Sequence, residues 1–325
     1  MACSALLLGF ASCAGRLPAD QPSSTAPVGA AVAAIPAEEF RPDDVTPWHE
    51  GPKAASTPQQ RLALAIWALQ ARRAVSAKIR HKIDLFDKQL IGSGNYLEQR
   101  QEPISLLKLE LKIQLGSRTS SLVQVCDGRY LWTYRRLLGD GSLARLDAVR
   151  ATEALQEAEK AGRGEVEMLP GLGGLPQLLR GLHASFDFIS AEKSTLNSKS
   201  GQVAVWRLQG RWKARQLARL LPRQKQAIEE GKAVDLTKLP QHLPDHVVLF
   251  LGDEDGFPYR IEYRRGLRGE SKGPGEPMGR ALVTMEWLDV VLDQPVDPRR
   301  FEYNPAGLQF EDKTEEFLKQ LDAGK

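Results

Sequence analysis

Two stretches of alternating side chains limit what this chain can fold into more than any other feature of its sequence. Between residues 75 and 85, mostly apolar side chains occupy the odd positions and polar or charged ones the even positions. Residues 107–115 repeat the pattern, with Leu or Ile at every odd position. A period of two predicts β-strands with one face covered by protein and the other in water. Strands of this length, about 30 Å, favour a twisted and curled sheet.

Turn signals between apolar runs predict that the strands pair as antiparallel hairpins. Asp127-Gly128 separates the runs 122–126 and 130–134, which is a strong hairpin signal. The acidic turn at 253–256 joins two further runs, and Gly92-Ser93-Gly94 is interpreted as the interruption of another strand pair. A last long strand is predicted over 281–291, and Phe301 and Tyr303 are predicted to form a short final strand.

Helices are predicted at both ends of the folded domain and in its middle. The first begins at Thr57-Pro58, where threonine caps the helix, proline takes its first position and Gln60 completes a capping box. The other predicted helices cover residues 147–160, 175–182, 212–231 with a break at Pro222, and 314–321. Strand hairpins combined with a block of helices indicate an α+β fold in which helices cover one side of the sheet.

These elements, in this order, resemble the LolA/LolB superfamily of bacterial outer-membrane lipoprotein carriers, of which this chain looks like a divergent member. The likeness is carried by the opening helix running into residues 76–80, the hairpin 126–134, the segments 249–252 and 256–263, and the ending 301–307 before a short helix. It spans roughly residues 58–322. The resemblance implies a strongly curved antiparallel sheet, an open half-barrel, with helices covering its concave side.

The resemblance also implies a hydrophobic cavity between sheet and helices that receives the acyl chains of lipid or lipoprotein. The apolar faces of the alternating strands are the candidates for its wall, and they present Ile79, Ile83, Leu109, Leu111, Ile113, Val283, Met285 and Trp287. The same residues are also typical of a filled core, which is the better interpretation of any single one of them. With a filled core, the domain would be a structural or protein-interaction module of the cell envelope. Fold alone does not decide between these functions.

The N-terminal residues carry the localisation signal. Residues 1–13 form a short apolar segment that is too short to span a bilayer and is typical of an export signal. Phe10-Ala11-Ser12-Cys13 resembles a bacterial lipobox, which predicts lipidation of Cys13. Residues 14–57 contain seven of the chain's 20 prolines and are predicted to be a disordered tether to the domain at 58–325. We therefore expect an exported protein, lipid-anchored on the periplasmic face of a bacterial membrane.

Composition and motifs give no support for catalysis or for nucleic acid binding. The 44 basic and 41 acidic residues are mixed along the chain, whereas a phosphate-binding surface needs concentrated positive charge. His242 and His246 are separated by Pro244, which breaks the helix that would align them on a metal. Cys126 is interpreted as a packed hydrophobe, and His81 as a core or edge histidine whose hydrogen bonds are satisfied. We expect a monomer that is not an enzyme and has no cofactor, no metal and no catalytic residue.

A basic stretch remains open to two interpretations. Arginines and lysines between residues 207 and 225 surround Trp212 and several leucines. A basic amphipathic helix with tryptophan can lie on an anionic membrane surface. A solvated helix face is the alternative.

Overall fold

The computed structural model describes residues 57–85, 88–115, 118–137, 139–160, 171–198, 201–266 and 279–323. The long strands predicted from the alternating pattern form there. The strands in chain order are β1 (Ala74–Leu85), β2 (Lys88–Gln99), β3 (Leu106–Leu115), β4 (Arg118–Cys126), β5 (Tyr130–Leu137), β6 (Asp140–Asp147), β7 (Phe186–Ser198), β8 (Gly201–Trp212), β9 (His246–Gly252), β10 (Pro258–Arg265), β11 (Arg280–Leu292) and β12 (Glu311–Asp312).

Six α-helices lie among the described residues. They are α1 (Pro58–Ala71), α2 (Ala148–Lys160), α3 (Gly174–Ser185), α4 (Ala214–Leu220), α5 (Lys225–Glu229) and α6 (Thr314–Ala323). The capping box predicted for α1 is confirmed: the Gln60 N–H donates to Thr57 Oγ1, and the Thr57 N–H donates to Gln60 Oε1, both at 3.2 Å. The helices predicted to start near 147, 175 and 314 are confirmed within a residue or two.

All the strands belong to one 12-stranded sheet with the order β12-β6-β5-β4-β3-β2-β1-β11-β10-β9-β8-β7. Its pairings are antiparallel, apart from the short parallel contact between β12 and β6. The two outermost strands do not pair with each other, so the sheet is open. A flat sheet of this width would measure about 50 Å across. The α+β half-barrel predicted from the sequence is confirmed, with helices packed on one face.

We call the face that packs against α1 and α3 the inner face and the opposite one the outer face. One continuous core cluster joins inner-face side chains from β1 to β11 with leucines of both helices. Helix α1 contacts α3 and β7, and α3 also contacts β7. Helices α1 and α3 therefore pack on the inner face.

The C-terminal segment covers one edge of the sheet. Asp312 on β12 binds the Arg145 guanidinium of β6 at 2.6 Å, and the Lys313 N–H donates to the Arg145 carbonyl. Thr314 at the start of α6 accepts from the Asp147 N–H at 2.9 Å. An uncovered edge strand invites pairing with other chains, and this segment prevents it at β6.

Four predictions about local structure are wrong. Gly92 and Gly94 lie inside β2 instead of interrupting a strand pair. Phe301 ends a short 3₁₀ helix and Tyr303 is outside any strand, so the last strand is β12. Trp212 ends β8 instead of starting a helix, because its indole packs on Phe186 and donates to the Pro244 carbonyl at 2.8 Å. The region of the predicted middle helices, residues 147–231, also contains two long strands, β7 and β8, that the sequence pattern did not indicate.

Candidate functional site

The structure brings all the predicted cavity residues to the inner face. Ile79, Ile83, Leu109, Leu111, Ile113, Val283, Met285 and Trp287 have exposed fractions of 0 to 8% and belong to one core cluster. Ile79 lies opposite Trp287, and Ile83 lies opposite Val283, on the paired strands β1 and β11. The β3 residues are separated from this group by β2, whose inner-face positions include Gly92 and Gly94. Their role as a lipid-binding wall remains a prediction.

Helices α1 and α3 supply the other wall of this layer. Their buried side chains include Leu62, Ile66, Leu69, Leu175, Leu179 and Leu182. Phe257, next to the acidic turn, meets Trp287 edge to face with ring centroids 6.4 Å apart. The described side chains thus enclose an apolar layer between sheet and helices.

Gly92 in β2 leaves room for the His81 ring. The strand pairing places Ser120, Ile113, Gly92, His81 and Met285 in one row across β4, β3, β2, β1 and β11. A Cβ at Gly92 would collide with the His81 imidazole, so the ring covers the position that any other side chain would fill. A glycine inside a strand commonly marks such a close approach.

Several polar atoms on the inner face have no hydrogen-bond partner among the described residues. They are both ring nitrogens of His81, the indole Nε1 of Trp287, Oγ of Ser120 and Oε1 of Gln124. His81, Trp287 and Ser120 are 4, 3 and 0% exposed. Burial lowers the pKa of His81 to about 4, so the imidazole is neutral at pH 7. His81 is buried as predicted, but the prediction that a partner satisfies it is wrong within the described structure.

The beginning of α3 is attached to the inner face by a buried carboxyl group. The Leu175 N–H donates to Tyr96 Oη at 3.0 Å, and the Tyr96 hydroxyl donates to Glu98. Burial raises the pKa of both groups, and the Tyr96 hydroxyl and the Leu175 N–H partly offset the rise at Glu98. Gly174 has a φ of +61° and leaves no room for a Cβ beside the Glu98 carboxyl. The glycine-rich turn therefore positions the helix that covers the site.

The basic stretch has little apolar surface left for a membrane. Leu217, Leu220 and Leu221 on and after α4 pack into a separate small cluster with Ala218, Ile228 and Leu239. Trp212 packs against both this cluster and the main core. Because the apolar side of α4 is covered by its own chain, the solvated helix face is the better interpretation.

The remaining sequence candidates fall into two groups. Cys126 is 1% exposed, as predicted for a packed hydrophobe, and burial raises the pKa of its thiol to about 11. His246 is buried and its Nδ1 lies 2.5 Å from the Asp245 carboxyl. No cluster of three or more metal-ligating side chains occurs among the residues described.

Cys13, the lipobox-like segment 1–13 and the tether 14–57, except Thr57, lie outside the described residues. Within the described residues, no helix is long and apolar enough to cross a membrane.

Comparisons with known proteins give structural likeness only. No family model matches the chain, and no curated protein matches its sequence. Among solved structures, it is similar to the Mycobacterium tuberculosis lipoprotein LppX (11% identity, covering 74% of this chain and 97% of that one, TM-score 0.34). A DUF1329 family protein from Desulfovibrio piger matches at 11% identity over 77% of this chain and 98% of that one, with a TM-score of 0.28.

A putative outer membrane lipoprotein-sorting protein domain from Vibrio parahaemolyticus is a further match, at 9% identity, 76% and 97% coverage and a TM-score of 0.29. At these identities and TM-scores the neighbours carry no conclusion about what this chain binds.

Proposed function

We propose that this chain is an exported, non-catalytic protein of the cell envelope that binds the acyl chains of lipid or lipoprotein between its inner face and helices α1 and α3. One observation supports this most directly. The residues that the sequence assigned to a cavity wall all lie in a single apolar layer shared by the open sheet and two helices. The lipobox-like Cys13 and the proline-rich tether support tethering to a membrane.

The free energies involved allow such a layer to open for a ligand. Burial of an acyl chain stabilises the complex by about 0.8 kcal/mol per methylene, or roughly 12 kcal/mol gross for a palmitoyl chain. Moving α3 away from the sheet would expose Leu175, Leu179 and Leu182. Exposure of three leucines costs about 5–9 kcal/mol. A palmitoyl chain that replaces these contacts therefore more than offsets their loss.

The test is a binding titration of the full chain carrying Cys13→Ser, which cannot be lipidated. A fluorescent phospholipid is the probe and unlabelled phospholipid the competitor. We expect saturable binding near one probe per monomer that the unlabelled lipid reverses. Leu111→Arg should abolish binding because it buries a charge in the apolar layer, whereas Lys112→Glu, at the next residue on the outer face, should not. Circular dichroism must show that each variant is folded.

A second candidate function is a structural or protein-interaction domain with a filled core. It is favoured by the near-complete burial of the predicted wall residues, which pack against one another and the helices in the described structure. A folded chain that binds no lipid saturably, and whose unfolding midpoint does not rise with added lipid, would favour this candidate and overturn the carrier proposal.

A further inference from the structure

The inner face carries a polar subsite that an apolar chain alone would not use. Buried polar groups in folded proteins are nearly always hydrogen-bonded, so each unpartnered one calls for an explanation. Of the seven buried side-chain atoms without a partner in the described structure, five lie on the inner face. The other two, Arg72 Nε and Arg260 Nε, belong to guanidinium groups whose other nitrogens bind Asp293 and Glu286.

Two of the inner-face groups belong to diagonal neighbours on the adjacent strands β1 and β11. His81 on β1 pairs with Met285 on β11, and Trp287 is two residues further along that strand on the same face. Such diagonal neighbours have Cβ atoms about 7 Å apart, within reach of long side chains. Ser120 follows in the row of His81, beyond Gly92 and Ile113.

The chemistry of these side chains selects the ligand. The Trp287 indole can only donate a hydrogen bond, and a neutral imidazole donates one and accepts one. Ser120 can do either. Lysine and arginine are absent from the inner-face row that contains His81 and from the described inner-face positions that flank it on β1 and β11. Burying a carboxylate without a paired cation is costly, so the groups suit a neutral hydrogen-bond acceptor.

We propose that His81 and Trp287 form a polar anchor for the ester carbonyl of a neutral, ester-linked acyl lipid. This inference rests on the proposed acyl-binding function and specifies its ligand class. The acyl chain lies along the apolar layer, and the ester group reaches the imidazole and indole N–H donors. A free fatty acid at neutral pH is the disfavoured ligand because it brings a charge.

The experiment is a competition assay with the fluorescent phospholipid bound to the full Cys13→Ser chain. Three competitors of matched chain length are compared at neutral pH: methyl laurate, tridecane and laurate, each delivered from cyclodextrin. We expect methyl laurate to compete about fivefold or more better than tridecane, as one gained hydrogen bond predicts, and better than laurate.

Two variants test the anchor itself. Trp287→Phe and His81→Leu should each bring the affinity for methyl laurate about fivefold closer to that for tridecane. Lys82→Gln, next to His81 but on the exposed outer face, is the control and should not alter the preference. A general disturbance of packing would weaken both competitors equally, so the ratio separates an anchor from a structural role.

The possible results separate failure of the anchor from failure of the acyl-binding function. If methyl laurate and tridecane compete equally well, the polar anchor is wrong and the acyl-binding function stands. Tighter competition by laurate would overturn the neutral ester as the ligand class. A preference for the ester that survives in both variants would place the anchor elsewhere and overturn this assignment. If the folded chain does not bind the probe, the proposed function fails first.

Discussion

The two faces of the sheet differ in whether their buried polar side chains have partners. On the outer face, the Glu286 carboxylate binds Arg80 and Arg260, and Glu262 binds Arg264. Glu286 and Glu262 are 8 and 7% exposed, and each has a partner on its own or a neighbouring strand. On the inner face, His81, Trp287 and Ser120 are buried as deeply and have no partner among the described residues. These outer-face carboxylates therefore stabilise the sheet by themselves, whereas His81, Trp287 and Ser120 gain no hydrogen bond from the described residues.

This difference predicts opposite responses to substitution and to pH. Substituting a paired polar group removes its interaction and destabilises the fold. Substituting an unpaired buried polar group by an apolar one removes the cost of its desolvation. The largest expected effect is at His81, because its charge state changes between neutral and mildly acidic pH.

Acid should destabilise the chain through His81. Burial lowers the folded-state pKa to about 4, against an ordinary value of 6.5, so the unfolded chain takes up a proton that the folded chain resists. Stability is therefore intact above about pH 6.5 and falls as the pH drops toward 4. Between about pH 7.5 and pH 4.5 the loss amounts to roughly 2–3 kcal/mol. Urea unfolding at the two pH values measures it.

The matched variant for this prediction is His81→Leu. It should lose less stability on acidification by the same roughly 2–3 kcal/mol, and at neutral pH it should be at least as stable as the natural chain. Glu98 acts in the opposite direction, because its raised pKa makes its protonation favourable to the folded state, but it is present in both chains and cancels. Identical pH dependence in the two chains would show that His81 is not the titrating group.

On the outer face, Glu286→Gln should destabilise the chain by about 1–2 kcal/mol. The amide keeps the shape of the side chain but loses the charge that its hydrogen bonds to two arginines depend on. Thermal or urea unfolding at neutral pH gives the value. Asp289→Asn, which removes the charge from the exposed pair with Lys78, is the control and should shift the midpoint less. Equal shifts would mean that burial adds nothing to the outer-face network.

Sequence periodicity predicted the faces of the sheet better than the connections between its strands. The alternation placed each described side chain of 75–84 and 107–114 on its correct face because the period of two does not depend on neighbours. Gly92 and Gly94 were misread because glycines near serine and asparagine give the same local signal in a turn and in a strand. Their true role depends on the His81 ring and on β3, which are contacts distant in sequence.

The mid-chain strands and the polar subsite could not be predicted for a related reason. Strand β7 is an edge strand with a bulge between Phe188 and Ser190, which breaks the alternation that would reveal it. His81 was placed on the apolar face correctly, but whether it has a partner depends on Gly92 and Met285 across the sheet. Trp287 was predicted as an apolar wall residue, and its unpartnered N–H became visible only in the fold.

The smallest predicted effect compares two consecutive serines on β4. Ser120 faces inward and its hydroxyl has no partner in the described structure, whereas Ser121 faces outward. Ser120→Ala should leave the free energy of unfolding unchanged or raise it by up to about 1 kcal/mol, because it removes a buried hydroxyl that gains nothing from folding. Urea unfolding measures the change, with Ser121→Ala as the control. A clear loss of stability for Ser120→Ala alone would mean that its hydroxyl is bonded within the ligand-free chain. The inner face would then resemble the outer one, and its polar groups would need no ligand.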